Sequence, residues 1–229
     1  MLSEELPLIH FREELDEMQR RLLEMAGLVE SAIHQSVDAL VQRDEQSAKE
    51  VLWKEALINQ KDIEIDEYAT RLLALYQPMA RDMRFLTAVI KINGDLERIG
   101  DQASNIAQRT QALREAPQIS LPIDIPDMGE KVGVMIRCAI QSLLEADARL
   151  AEHVLEMDDE IDDMNRDVQA ELIEVMQQHP VVSSQALNAI LISRNLERAA
   201  DHATNIAEDV IFWIRGSDVR HKFSLSQAD

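Results

Sequence analysis

Cys138 is the only cysteine, so no internal disulfide can form. Aromatic residues make up 3% of the chain, and glycine and proline number six each. That scarcity argues against strands and turn-rich folds. No apolar run reaches the ~20 residues that span a bilayer, so direct membrane insertion is not expected. Bases are short too: 23 Lys and Arg face 43 Asp and Glu, for a formal charge of −20. Such a surface repels nucleic acid and anionic headgroups. The N-terminus, MLSEELPLIHFREELDEM, is acidic and lacks the apolar core of a signal peptide. A cytoplasmic protein with no nucleic-acid partner is expected. A phosphate-binding glycine loop is also missing. None of His10, His34, His153, His179, His202 and His221 has a Glu three residues before it, which excludes the Glu-x-x-His pattern of a buried di-iron bundle.

What remains is helix-forming stock: Leu, Ala, Glu, Asp, Arg, Gln and Met, with 46% hydrophobic residues. The chain also repeats itself. Residues 95–107 (DLERIGDQASNIA) and 195–207 (NLERAADHATNIA) agree at eight of thirteen positions, where chance pairing gives about one. Proline spacing divides the chain: Pro117, Pro122 and Pro126 mark a linker. Helices are predicted at 8–43, 45–76 and 79–114, then at 128–146, 148–178 and 182–215. Gln77-Pro78 and His179-Pro180 punctuate equivalent junctions, and Gly216 is a stop signal. The expected fold is all-α: two tandem three-helix bundles, six long helices in all, related by internal repeat. Residues 1–116 form the first bundle, 117–127 the linker, 128–216 the second bundle and 217–229 a polar tail. Cys138, in an apolar stretch, is expected in the core. Met18, Met25, Met157 and Met164 are expected as gap-fillers.

Helical geometry separates the functions of the repeated residues. Leu96, Ile99, Ala103 and Ile106 share a core stripe, as do Leu196, Ala199, Ala203 and Ile206. Glu97 and Asp101 stack one turn apart on a different face, continued by Asn105; Glu197, Asp201 and Asn205 repeat that row. On the second helix Ile58, Ile65, Ala69, Leu72 and Tyr76 form the stripe, with Asp62 and Asp66 at its edge. The run Asp62-Ile-Glu-Ile-Asp66-Glu matches Asp158-Asp-Glu-Ile-Asp162-Asp, so each half offers an acid pair that can meet the acid row across a helix seam. Like charges one turn apart destabilise a helix by roughly 0.2–0.5 kcal/mol per pair; a cation reverses that sign. Carboxylate oxygens suit Mg, Mn, Fe and Ca, and are tolerated by Zn. The plainer alternative is that these acids are solvated, with Arg98 and Arg198 as surface ion pairs.

The segments Gln77-Pro-Met-Ala-Arg-Asp-Met-Arg84, Lys91-Ile-Asn-Gly-Asp-Leu-Glu-Arg-Ile-Gly-Asp101 and Asn195-Leu-Glu-Arg-Ala-Ala-Asp-His-Ala-Thr-Asn-Ile-Ala-Glu-Asp-Val210 resemble the PhoU family of phosphate-specific transport accessory proteins, as does Arg20-Arg-Leu-Leu-Glu-Met-Ala-Gly-Leu-Val-Glu30. The likeness extends over about residues 8–216. It implies a non-enzymatic, homodimeric negative regulator of phosphate-starvation signalling and phosphate uptake. Its partners would be the ATPase subunit of the phosphate ABC transporter and a sensor histidine kinase. It also implies metal clusters (Fe, Zn, Mn or Mg) on paired E(D)-x-x-x-D motifs: Glu97/Asp101 and Glu197/Asp201, with Asp62/Asp66 and Asp158/Asp162 in support. The competing reading is a metal storage protein or metal-dependent hydrolase on the same carboxylates; catalysis would need a base, and His202 is the one neighbouring candidate. Two departures separate the halves. Arg81, Asp82 and Arg84 have no counterpart in His179-Pro-Val-Val-Ser-Ser-Gln-Ala186, and Ile99-Gly100 becomes Ala199-Ala200.

Overall fold

The computed structural model describes residues 2–113 and 124–216, with residues 2–9 and Ala112 described by their backbone alone. Six helices carry the fold: α1 (Leu2–Gln42), α2 (Glu45–Tyr76), α3 (Ala80–Ala112), α4 (Ile125–Glu145), α5 (Ala148–Gln178) and α6 (Ser183–Arg215). A 3-10 turn at Pro180–Val182 leads into α6. The expected all-α architecture is present. Two ends differ from expectation. Helix α1 starts at Leu2, ahead of residue 8, and runs through Pro7. Helix α4 starts at Ile125 with Pro126 in its first turn, where the ring's fixed φ is already helical. Of the expected linker, residues 117–123 lie outside the described residues, as does the whole tail 217–229.

The ends of the helices repeat in detail. Asp44 caps α2, accepting from the Gln46 amide at 2.9 Å and the Ser47 hydroxyl at 2.6 Å. Asp147 caps α5, accepting from the Arg149 amide at 2.8 Å. Each is preceded by a left-handed residue, Arg43 or Ala146. Each cap amide closes the previous helix, Asp44 on the Ala39 carbonyl and Asp147 on the Ser142 carbonyl, both at 2.9 Å. Gly216 ends α6 at φ +68° as the sequence signals.

These caps fix which residues correspond. With Asp44 aligned on Asp147, the buried residues Ala48, Val51, Ile58 and Ile65 fall on Ala151, Val154, Ile161 and Val168. The counterparts of Asp158 and Asp162 are then Glu55 and Asn59, and those of Asp62 and Asp66 are Asn165 and Gln169. This corrects the pairing of the two D-x-E-I-D runs. Those runs are displaced by two helical turns, which leaves the acids on the same face and hides the slip.

Helices α1, α2 and α3 pack on one another, as do α4, α5 and α6. The halves then join through α3 against α6 and α1 against α4. Both joints are antiparallel. Along the first, Arg84 Nε donates to the Trp213 carbonyl (3.3 Å), Lys91 pairs with Asp209 (2.7 Å) and Arg109 reaches Asn188 (3.5 Å). Along the second, Arg137 pairs with Glu30, and Gly133 and Gly129 lie against His34 and Val37. A Cβ on Gly129 would come within 2.8 Å of Val37 Cγ2, so the two glycines set how closely α4 approaches α1. One hydrophobic core runs through both halves, from Met18 and Met25 to Trp213. Cys138, Met157 and Met164 are partly buried against it.

Candidate metal centre

The core stripes lie as the periodicity predicts: Leu96, Ile99, Ala103 and Ile106, and Leu196, Ala199, Ala203 and Ile206, are all fully buried. That orientation leaves Glu97, Asp101 and Glu197 half-buried at the helix seams and Asp201 more open. On α2 the burial of Ile58, Ile65, Ala69 and Leu72 sets Glu55, Asp62 and Asp66 half-buried along the seam with α3. On α5, Ile161 and Val154 do the same for Asp158 and Asp162.

The acids of each seam act on one another. Burial, and then the charge of Asp101, raise the Glu97 carboxyl above its ordinary range, with Asp62 and Glu55 adding to the effect. Burial and Glu55 raise Asp101. Burial and Asp66 raise Asp62. In the second half the coupling is denser. Asp158 is pushed up to about 7 by burial and then by Asp201, Asp162, Asp159 and Glu197. Burial, Asp201 and Asp162 raise Glu197; burial and Asp162 raise Asp201. Thus Glu97, Asp101 and Asp62 form one acidic patch, and Glu197, Asp201, Asp158 and Asp162 a second. Asp66 joins the first through its neighbour Asp62. As the side chains stand, no three Asp, Glu, His or Cys groups among the described residues are gathered tightly enough to hold an ion.

Two residues of the first patch escape the sequence reading. Glu55 sits two turns before Asp62 and accepts from the Ser104 hydroxyl at 2.6 Å. Asn93 is fully buried one turn before Glu97. Its amide donates to the Asp62 carboxylate (2.6 Å), the Asp62 carbonyl (2.9 Å) and the Asp66 carboxylate (3.2 Å). The row Asn93-Glu97-Asp101-Asn105 signals Asn93, since it continues the acid row by one turn. Two side-chain oxygens near this patch, Asn59 Oδ1 and Asn93 Oδ1, are buried with no hydrogen-bond partner.

His202 is engaged at the α3–α6 joint. Its Nδ1 lies 2.8 Å from Asp95 Oδ1, and Asn205 donates to the same oxygen at 3.3 Å. The second motif thereby clasps the first across the α3–α6 joint. Arg98 Nε lies 3.6 Å from Glu97, a solvent-facing pair. Among the described residues no helix is long and apolar enough to cross a membrane.

The PhoU domain model matches the chain twice, at residues 22–110 and 125–210. The phosphate-specific transport system accessory protein PhoU homolog of Pseudomonas putida is 39% identical over 212 residues, covering 92% of this chain and 83% of that protein. The homolog of Aquifex aeolicus is 35% identical over 209 residues, covering 91% and 95%. Among solved structures, PhoU from Pseudomonas aeruginosa superposes with a TM-score of 0.87 at 38% identity, over 90% of this chain and 100% of that one. The phosphate transport system regulatory protein PhoU from Streptococcus pneumoniae gives a TM-score of 0.85 at 28% identity, over 91% and 99%.

Proposed function

The chain belongs to the PhoU family of phosphate transport accessory and regulatory proteins, which are not enzymes, and we propose that it is a metal-binding adaptor that holds phosphate-starvation signalling off. It works in the cytoplasm, between the ATPase subunit of the phosphate ABC transporter and a sensor histidine kinase. The observation that carries the metal part of this reading is the convergence of Asp158, Asp162, Glu197 and Asp201 on one seam, where burial and then the neighbouring acids push Asp158 up to about 7. A seam of unneutralised carboxylates destabilises the fold that contains it, and a cation relieves this. The donor set fits. Its acids supply hard carboxylate oxygen, which favours Mg, Mn or Fe over soft-metal chemistry. Buried amide oxygens without donors at Asn59 and Asn93 add to that supply in the first half.

In this reading Glu97, Asp101, Glu55, Asp62 and Asp66 hold metal in the first half, and Glu197, Asp201, Asp158 and Asp162 in the second. Cations held by these residues would supply charge neutralisation at the α2–α3 and α5–α6 seams. The helix faces are thereby fixed for docking on partners. The test is metal content on untagged protein purified without chelator, beside the variant Glu97→Ala, Asp101→Ala, Glu197→Ala, Asp201→Ala. Several ions per chain are expected in the parent and none in a still-helical variant. Equal metal in both would sink the site assignment. Deletion of the gene is expected to derepress phosphate-starvation genes under phosphate excess; intact repression would sink the regulatory role.

A further inference from the structure

A cavity of about 330 Å³ opens where α1, the start of α3 and the end of α6 meet. That volume falls at the lower end of the ~300–1,000 Å³ of small-molecule sites. Leu15, Phe85 and Trp213 supply its apolar surface, with the Phe85 and Trp213 rings tilted against each other at 5.1 Å. Only 3% of the chain is aromatic, so two rings converging here are a marked concentration. Both are buried, Trp213 to 6% exposure, yet the indole Nε1 of Trp213 has no hydrogen-bond partner. A buried N–H without an acceptor is costly, and a bound acceptor relieves that cost. Four charged side chains line the same cavity, an Arg and an Asp from each wall: Arg12 and Asp16 on α1, Arg81 and Asp82 on α3. Among the described residues none of these four side chains makes a hydrogen bond or an ion pair. Arg12 and Asp16 are one turn apart, the spacing at which opposite charges ordinarily pair on a helix. Farther along α1, Arg20 and Arg21 both hold Glu17. The Arg81 guanidinium instead stands 5.5 Å from the centre of the Trp213 ring. The second half has no copy of this wall: Val181, Val182 and Gln185 stand where the first half has Arg81, Asp82 and Phe85.

Two guanidiniums and two carboxylates sum to no net charge, on a chain whose formal charge is −20. A net anion is repelled by the molecule as a whole, and a simple cation gains nothing from two arginines. A zwitterion meets both halves of the cavity. Its carboxylate suits the guanidiniums, its ammonium suits the aspartates, and an apolar side chain suits the aromatic floor. We propose that this cavity binds one free α-amino acid with a large apolar or aromatic side chain. Arg12 and Arg81 hold its carboxylate, Asp16 and Asp82 its ammonium, and Leu15, Phe85 and Trp213 its side chain. The site lies apart from the acid seams and does not depend on metal.

The probe is L-phenylalanine, titrated into the full-length chain by calorimetry, with Trp213 fluorescence as a second readout. The other tryptophan, Trp53, is exposed on α2, and Trp53→Phe leaves Trp213 as the only emitter. One binding event per chain and a saturable change in Trp213 emission are expected. Arg81→Gln and Asp16→Asn are each expected to weaken binding about tenfold or more, the worth of a hydrogen bond to a charged group. N-acetyl-L-phenylalanine lacks the ammonium and L-phenylalaninamide lacks the carboxylate; each is expected to bind weaker by a similar factor. Circular dichroism confirms that each variant is helical. Absence of saturable binding of L-phenylalanine, L-leucine and L-tryptophan to the parent protein overturns the proposal. Equal affinity for N-acetyl-L-phenylalanine also overturns it, by making the site one for anions. Unchanged affinity in both Arg81→Gln and Asp16→Asn overturns it by placing the binding elsewhere.

Discussion

Asp158 shows how a single side chain can record an unmet demand. Its carboxyl is pushed up to about 7, first by burial and then by the neighbouring acids, whereas an unfolded aspartate titrates near 3.9. Between about pH 4 and pH 7 the metal-free folded protein therefore holds a proton that the unfolded chain has released. Stability falls as pH rises through that window and levels off above it. Metal-free protein is expected to melt higher at pH 5 than at pH 8, and Asp158→Asn to raise the pH 8 melting temperature while leaving the pH 5 value little changed. Much of the shift is screened by solvent, so the gain is about 1–2 kcal/mol. Thermal melts in chelator at the two pH values measure it; an unchanged pH 8 melting temperature in the variant would contradict the crowding of these acids.

Helix seams carry the next level of specification. At Gly100 a Cβ would stand 3.0 Å from Ile58 Cδ1 and 3.2 Å from its Cγ2, so α3 approaches α2 through a missing side chain. The corresponding residue of α6 is Ala200. Gly100→Ala gains about 1 kcal/mol in helix propensity and loses about 1–3 kcal/mol to overpacking. Trimming the neighbour with Ile58→Val should make the same substitution more favourable by about 1 kcal/mol, read as the coupling energy of a double-mutant cycle in urea. Additive effects would mean the seam has slack. The helices themselves are legible in the sequence, because Pro78, Pro180 and Gly216 mark ends locally and the apolar stripes between them repeat at helical spacing. The acid rows on α3 and α6 are legible for the same reason, through fixed spacing on one face. The register of α2 against α5 is not. The runs beginning at Asp62 and Asp158 differ by two turns, and helical periodicity cannot detect such a slip. Only the caps and the cross-seam partners, Glu55 with Ser104 and Asn165 with Ser193, resolve it. Glu55 is missed in the sequence because its relevance depends on that register.

At the scale of the whole molecule, the halves are held by α3 on α6 and α1 on α4. Gly133 packs directly on His34, so Gly133→Val should force α4 away from α1 and lower stability by about 1–3 kcal/mol. Urea unfolding measures this, and an unaffected midpoint would show that the α1–α4 joint is loose. Both joints run antiparallel and pair like with like: third helix with third, first with first. That is the geometry of an isologous two-fold contact, in which each surface is its own complement. The matching is imperfect where it counts. Asp95 meets His202 at 2.8 Å, while the symmetry-related positions hold Asn195 and Gln102, whose Nδ2 and Oε1 atoms are buried without partners. A half-chain of this design could in principle associate with a second copy of itself, but it would then set Asp95 opposite Gln102, or Asn195 opposite His202. Joining both halves in one polypeptide enforces the unlike pairing at a fixed one-to-one ratio, and frees the two copies of the motif to diverge into separate roles.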